Sequence, residues 1–231
     1  MTAAPAPIRT YPTCPNPDQA AMRALGERVR ARLAADPAVE RLPAEQAELW
    51  AAADFISPAE CEKLMAMIDR TAEPSTLLDN GYQSIWRTSY SGNVDPYDPF
   101  VQMIERRIDD LLGIPHEWGE TIQGQRYAEG QEFREHMDWF WTKAPYFRQE
   151  AKRGGQRSFT AMIYLNPVEA GGETAFLNLG LSIPPQRGVL LVWNNGTTDG
   201  SLNPYTLHAG TPVAKGVKYV ITKWYRTRKW G

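Results

Sequence analysis

Cysteine and histidine are scarce in this chain. Its 231 residues include two Cys, Cys14 and Cys61, and three His, His116, His136 and His208. Two cysteines make no disulfide framework, and they form no zinc site with the three histidines. They read as ordinary thiols of a reducing, cytoplasmic setting. An excess of one charge is missing too. The 25 Lys and Arg stand against 27 Asp and Glu, a net charge of −2. That balance argues against a nucleic-acid partner held by bulk charge and leaves no polybasic address for a membrane surface. No apolar run approaches the roughly 18 residues of a spanning helix. The start, MTAAPAPIRTYPTCPNPD, lacks the basic-then-apolar order of a secretory leader. What is plentiful is apolar and aromatic: 42% hydrophobic residues, with eight Trp and ten Tyr, enough for a packed core.

Three helix starts stand out in the first half. Asn16-Pro17-Asp18 places a capping residue before a proline, with Met22, Leu25, Val29 and Leu33 following at helical spacing. Ser57-Pro58-Ala59-Glu60 is a capping box ahead of Cys61, Leu64, Met65 and Ile68. Asp98-Pro99 opens a third helix with Phe100, Ile104, Ile108 and Leu111 inward, which Gly113 and Pro115 stop. Strands and turns are expected between the second and third helices, from Leu77 to Pro96. After Pro115, short β-like runs separated by Gly, Pro and Asn are expected at Thr121–Tyr127, Phe159–Leu165, Val189–Trp193 and Tyr219–Tyr225. Helices followed by strands read as α+β, with helices on one side of a jelly roll as the economical arrangement.

The chemistry centres on His136-Met137-Asp138. On a strand, residues i and i+2 share a face, so imidazole and carboxylate point the same way. A distant histidine, His208, could complete two nitrogens and one oxygen on one side of a metal, the facial set suited to non-haem Fe(II). His116 sits in a polar turn and reads as a surface residue. Downstream of His208, Lys218, Val220, Thr222 and Trp224 share one strand face, and Tyr219, Ile221, Lys223 and Tyr225 the other. If the first face lines a barrel, Lys218 is an enclosed cation in need of an anion; the alternative is a solvated strand lysine.

From Gly119 to Arg226 the chain resembles the Fe(II)/2-oxoglutarate-dependent dioxygenases of the prolyl 4-hydroxylase type. The segments that carry the resemblance occur in order. Gln125-Arg126-Tyr127 and Gly130-Gln131-Glu132-Phe133 come first, then His136-Met137-Asp138. Gly154-Gly155-Gln156-Arg157, Thr160 to Asn166, Gly171-Gly172-Glu173-Thr174 and Trp193-Asn194-Asn195 follow. His208-Ala209-Gly210, Lys218 and Thr222-Lys223-Trp224-Tyr225 complete the set, with Arg87-Thr88-Ser89 upstream. Asp138 stands where halogenating relatives carry Gly or Ala, which points to hydroxylation.

The resemblance implies a double-stranded β-helix (jelly roll) core with supporting N-terminal helices. Residues 119–227 would form the dioxygenase core, residues 16–118 a support region of the same domain, and residues 1–15 a flexible tail. It also implies Fe(II) held by His136, Asp138 and His208. It further implies 2-oxoglutarate paired through its distal carboxylate with Lys218 and bonded by the hydroxyls of Tyr127 and Thr174, with ascorbate as a candidate reductant. Arg157, Trp224, Trp139 and Arg87 are expected on the substrate side. Mobile covers are expected at Ser84–Pro96 and Trp139–Arg157. The implied reaction hydroxylates a C–H bond, with succinate and CO2 as coproducts. Prolyl residues of a peptide or protein are the expected substrate, and a free amino acid or small metabolite the alternative. A non-catalytic jelly-roll module is a weaker reading, since no ligand position is lost. A zinc hydrolase is weaker still, because Glu135 falls on the opposite strand face from His136. The oligomeric state is left open.

Overall fold

A computed structural model describes residues 8–9, 14–75 and 87–231. Most of the expected tail, residues 77–86 of the Leu77–Pro96 segment and the first three residues of the Ser84–Pro96 cover lie outside the described residues. In chain order the elements are α1 (Gln19–Ala35), β1 (Glu40–Arg41), β2 (Leu49–Ala52), α2 (Pro58–Thr71), β3 (Ala72–Pro74), β4 (Tyr90–Asn93) and α3 (Pro99–Leu112). Then come β5 (Gln123–Tyr127), β6 (Phe133–His136), α4 (Phe147–Lys152), β7 (Arg157–Tyr164), β8 (Ala170–Gly171) and β9 (Thr174–Phe176). The chain ends with β10 (Leu181–Ile183), β11 (Leu190–Asn194), β12 (His208–Gly210), β13 (Val213–Lys215) and β14 (Lys218–Arg226).

The helix signals act as expected at α2 and α3. The Ser57 hydroxyl accepts from Glu60 N while the Glu60 carboxylate accepts from Ser57 N, closing a complete capping box. Asp98 caps α3, and Gly113, at φ 64°, ends it in the left-handed conformation that a side chain disfavours. At α1 the expected start is corrected by two residues. Asn16 Oδ1 accepts from Asp18 N, so Asn16-Pro17 forms a turn and the helix begins at Gln19. Asp18 does not cap it with its side chain, because its carboxylate accepts from Gln156 N and Arg228.

Eight strands pair antiparallel in the order β1-β2-β11-β7-β14-β5-β4-β3, and four more in the order β10-β9-β12-β6. The central strands of the large sheet, β11, β7 and β14, are buried on both faces, and strand alternation divides their side chains. From β7, Phe159, Ala161 and Ile163 join one core with Leu25, Val29 and Leu33 of α1, Leu64 and Ile68 of α2, and Ile104 and Ile108 of α3. Met162 and Tyr164 of the same strand join a second core with Trp193, Val220 and Phe176, where the smaller sheet lies opposite. Each such large apolar side chain contributes about 1.5–3 kcal/mol on burial. The architecture is therefore mixed, with helices on one face of an antiparallel sheet and a second antiparallel sheet on the other. On β14 the split follows the expected pattern: Tyr219, Ile221 and Tyr225 face the helices, and Val220 the second core.

Lys223 also faces the helices and is buried there. Its ammonium lies 3.2 Å from Glu105 and 3.1 Å from Asp109, and Tyr225 Oη donates to Asp109 at 2.6 Å. A charge carried to that face by alternation needs such partners, and α3 supplies them. His116 is exposed as expected and pairs with Asp109 at 2.7 Å.

Candidate active site

The site forms where two antiparallel neighbours of the smaller sheet meet. β12 pairs with β6 so that His208 lies directly opposite His136. Their ring centroids are 4.2 Å apart. Asp138, two residues beyond His136, completes a cluster whose candidate ligand atoms lie within 4.8 Å of one another. Both rings are held in one tautomer. His136 Nδ1 donates to the Arg134 carbonyl at 2.8 Å, and His208 Nδ1 donates to the Thr206 carbonyl at 2.9 Å. Each Nε2 lone pair is left for a metal.

Electrostatics favour the ligand forms. Burial, helped by the neighbouring His208, pulls His136 down to about 3 and keeps it neutral. Burial works against ionisation of Asp138, but His208, His136 and Arg157 beside it outweigh that and hold its carboxyl below the usual range. Two imidazoles that each turn Nε2 inward and one carboxylate, largely withdrawn from water, fit a divalent iron bound on one face.

The second part of the site lies at the start of β14. Lys218 pairs in register with Tyr127 of β5 and is 3% exposed. Its ammonium sits 5.4 Å from the Tyr127 ring centroid and 5.7 Å from that of Tyr164. Among the described residues no carboxylate comes within 4 Å of it. Burial pulls its pKa down to about 7, with Glu173 opposing weakly from a distance. Tyr127 Oη donates to Gln125 Oε1 at 2.7 Å, and Thr174 Oγ1 accepts from Tyr164 Oη at 2.7 Å. A Cβ placed on Gly210 would come to 3.8 Å from the Lys218 ammonium. A buried cation without a counter-ion, among hydroxyls and beside a glycine, fits one end of a dicarboxylate.

The four expected substrate-side residues are all near this region, but each is already engaged or enclosed. Arg157 binds Glu120 through two 2.7 Å hydrogen bonds and stacks on Trp224, 4.1 Å from guanidinium carbon to ring centroid. Its Nη1 also lies 3.9 Å from Asp138. Arg87 is buried. It donates to Ser89, Ser91 and Gln123 and lies over the Phe133 ring. Trp139 and its neighbour Phe140 are buried too. Glu135 pairs with Arg9, away from the histidines.

Thr160 contacts Asp138 directly, Asn195 stands behind Thr160, and Gln156 braces the backbone two residues further on. Thr160 donates to Asp138 Oδ2 at 2.8 Å, Asn195 Nδ2 donates to Thr160 Oγ1 at 3.0 Å, and Gln156 bonds both the N–H and the carbonyl of Phe140. Sequence reasoning gave them no role. The one available signal was that Thr160 is a polar residue at an interior-facing position of a buried strand.

A model of the 2OG-Fe(II) oxygenase superfamily matches residues 122–226. Prolyl 4-hydroxylase 1 of Arabidopsis thaliana is 36% identical over 196 residues, spanning 76% of this chain and 67% of the relative. Among solved structures, the viral collagen prolyl hydroxylase of Paramecium Bursaria Chlorella virus-1, in its 2OG complex, superposes with a TM-score of 0.57 at 26% identity, covering 76% of this chain and 94% of that one. A Pseudomonas putida prolyl-4-hydroxylase shares the fold, with a TM-score of 0.56 at 20% identity over 88% of this chain. The chain is an Fe(II)- and 2-oxoglutarate-dependent dioxygenase. Within that superfamily it belongs to the prolyl 4-hydroxylase type.

Proposed function

We propose that this enzyme hydroxylates prolyl residues in a peptide or protein, with succinate and CO2 as coproducts. The arrangement that supports the reading best is the pairing of the His136–Asp138–His208 cluster with the buried Lys218 ammonium, which no carboxylate of the described residues approaches within 4 Å. In this reading His136, Asp138 and His208 hold Fe(II), and the two sheets form a double-stranded β-helix around it. Lys218 would hold the distal carboxylate of 2-oxoglutarate, with the hydroxyls of Tyr127 and Thr174 as its further donors. Iron with 2-oxoglutarate supplies the oxidising chemistry. The chain's own groups select, orient and enclose. Residues 16–118 support the core of 119–227, and Arg157, Trp224, Trp139 and Arg87 border the substrate. No helix among the described residues is long and apolar enough to cross a membrane. The free thiols of Cys14 and Cys61 agree with a cytoplasmic setting.

One observation favours a second substrate class. Arg87 is buried and donates to neutral partners, and among the described residues the carboxylate that acts on it, Asp138, stands beyond 4 Å. A free amino acid would supply a nearer one. Succinate formation with Fe(II), 2-oxoglutarate and oxygen, measured with a proline-rich peptide and separately with free L-proline, decides between them. Stimulation by the peptide, with one oxygen atom added to it, is expected. Stimulation by the free amino acid alone would reverse the reading.

A further inference from the structure

Asp138 has several competitors for its carboxylate besides a metal, the Trp224 indole N–H among them. Arg157 Nη1 lies 3.9 Å from Oδ1, and His208 Nε2 lies 3.8 Å from Oδ2. A carboxylate free to turn would collapse onto the guanidinium and leave the metal position with only two nitrogens. Its backbone is already restrained. The Gln156 amide, wholly buried, accepts from Phe140 N at 2.8 Å and donates to Phe140 O at 2.9 Å, two residues past Asp138. What remains is rotation of the Asp138 side chain.

We infer that Thr160 and Asn195 are positioning residues that fix this rotation and commit Asp138 to the metal; the inference rests on the metal reading given above. Thr160 lies on the interior face of β7 and is 0% exposed, and Asn195, just past β11, is 1% exposed. Asn195 is held at its backbone, where N donates to the Ser158 carbonyl at 2.8 Å. Its Nδ2 donates to Thr160 Oγ1 and so occupies that oxygen as an acceptor. The single hydroxyl proton of Thr160 then points at Asp138 Oδ2. The direction of the relay is set by chemistry, because an amide N–H cannot accept and an ionised carboxylate cannot donate. Threonine is stiff about χ1, which adds to the restraint. Asn195 Oδ1 is buried without a partner, an expense that packing alone does not explain. The relay holds one carboxylate oxygen by a charge-assisted bond and keeps the group off Arg157.

The test uses Co(II) as an air-stable probe of the metal position, with affinity and visible absorption read by titration and folding checked by circular dichroism. Groups that orient a metal ligand are worth roughly 10- to 100-fold in metal affinity. Thr160→Val is expected to lose that much and to shift the Co(II) bands, while Thr160→Ser restores both. Asn195→Ala, which breaks only the outer link, is expected to weaken binding in the same direction by less. A folded Thr160→Val protein with wild-type affinity and spectrum overturns the inference. If Thr160→Val does not fold, an unchanged Asn195→Ala protein overturns it instead. Asp138→Ala separates the two levels. If it binds Co(II) as wild type does, the metal reading itself fails; if it loses binding while Thr160→Val does not, only the relay fails.

Discussion

Lys218 yields the sharpest quantitative expectation. Burial brings its pKa to about 7, against an ordinary value near 10.5. Both carboxylates of 2-oxoglutarate are ionised well below that pH, so in the neutral range the protein side alone titrates. Binding requires the ammonium. The apparent dissociation constant of 2-oxoglutarate is therefore flat below pH 7 and rises about tenfold per pH unit above it. Replacing Lys218 by Met removes one partner of a buried charge pair, a loss of about 3–5 kcal/mol, or roughly a hundred- to a few-thousand-fold in affinity. The residual binding should no longer depend on pH.

The same residue acts on stability with the opposite sign. Its folded-state pKa is lower than its unfolded one, so the unfolded chain holds the proton more tightly. The ligand-free protein is therefore penalised fully below pH 7, and the penalty is lifted progressively between about pH 7 and 10.5. Ligand-free Lys218→Met should then be more stable than wild type at pH 6–7, by at most about 5 kcal/mol, while binding the cosubstrate far worse. Isothermal titration of the Co(II)-loaded protein from pH 6 to 9, with urea unfolding of the ligand-free protein, reads both. A flat affinity profile for wild type, or Lys218→Met binding within tenfold of it, would refute the reasoning.

Gly210→Val should place its methyl groups in the space beside the Lys218 ammonium, where even a Cβ would stand at 3.8 Å. The expected result is at least about a tenfold loss of 2-oxoglutarate affinity with Co(II) affinity retained; unchanged cosubstrate affinity would mean that the distal carboxylate lies elsewhere. Lys223→Ala leaves Glu105 buried without its cation and Asp109 with only His116 and Tyr225 beside it, a cost of about 3–5 kcal/mol in urea unfolding. Ser57→Ala breaks the capping box of α2 at about 1 kcal/mol, which for a chain of this size lowers Tm by about 2–4 °C.

These perturbations divide by how far each interaction can be read along the chain. Ser57 and Glu60 are three residues apart, and His136 and Asp138 are two, so local geometry alone brings each pair together. Lys218 and Lys223 fall on opposite faces of one strand by alternation, which explains why one turned out to face the second core and the other the helices. The pairing of His208 with His136 spans 72 residues of chain and depends on the register of β12 against β6, which the resemblance implied and periodicity could not. β2 was missed because Leu49-Trp50-Ala51-Ala52 is short and does not alternate; it is strand only because β1 and β11 pair with it on either side. Thr160 and Asn195 were hidden for a related reason. Either would serve as an ordinary polar residue of a β-rich chain, and the relay exists only because β7 and β11 align so that the amide of one reaches the hydroxyl of the other beneath Asp138. The Arg157–Glu120 pair shows the same dependence from the opposite side: once register brings Glu120 to the guanidinium, that arginine is held by two bonds and offers the substrate only what they leave free. With Trp224 and Phe140 against its guanidinium as well, Arg157 keeps one nitrogen 3.9 Å from Asp138, so a substrate-side role for it would act through the Trp224 stack rather than through a free charge.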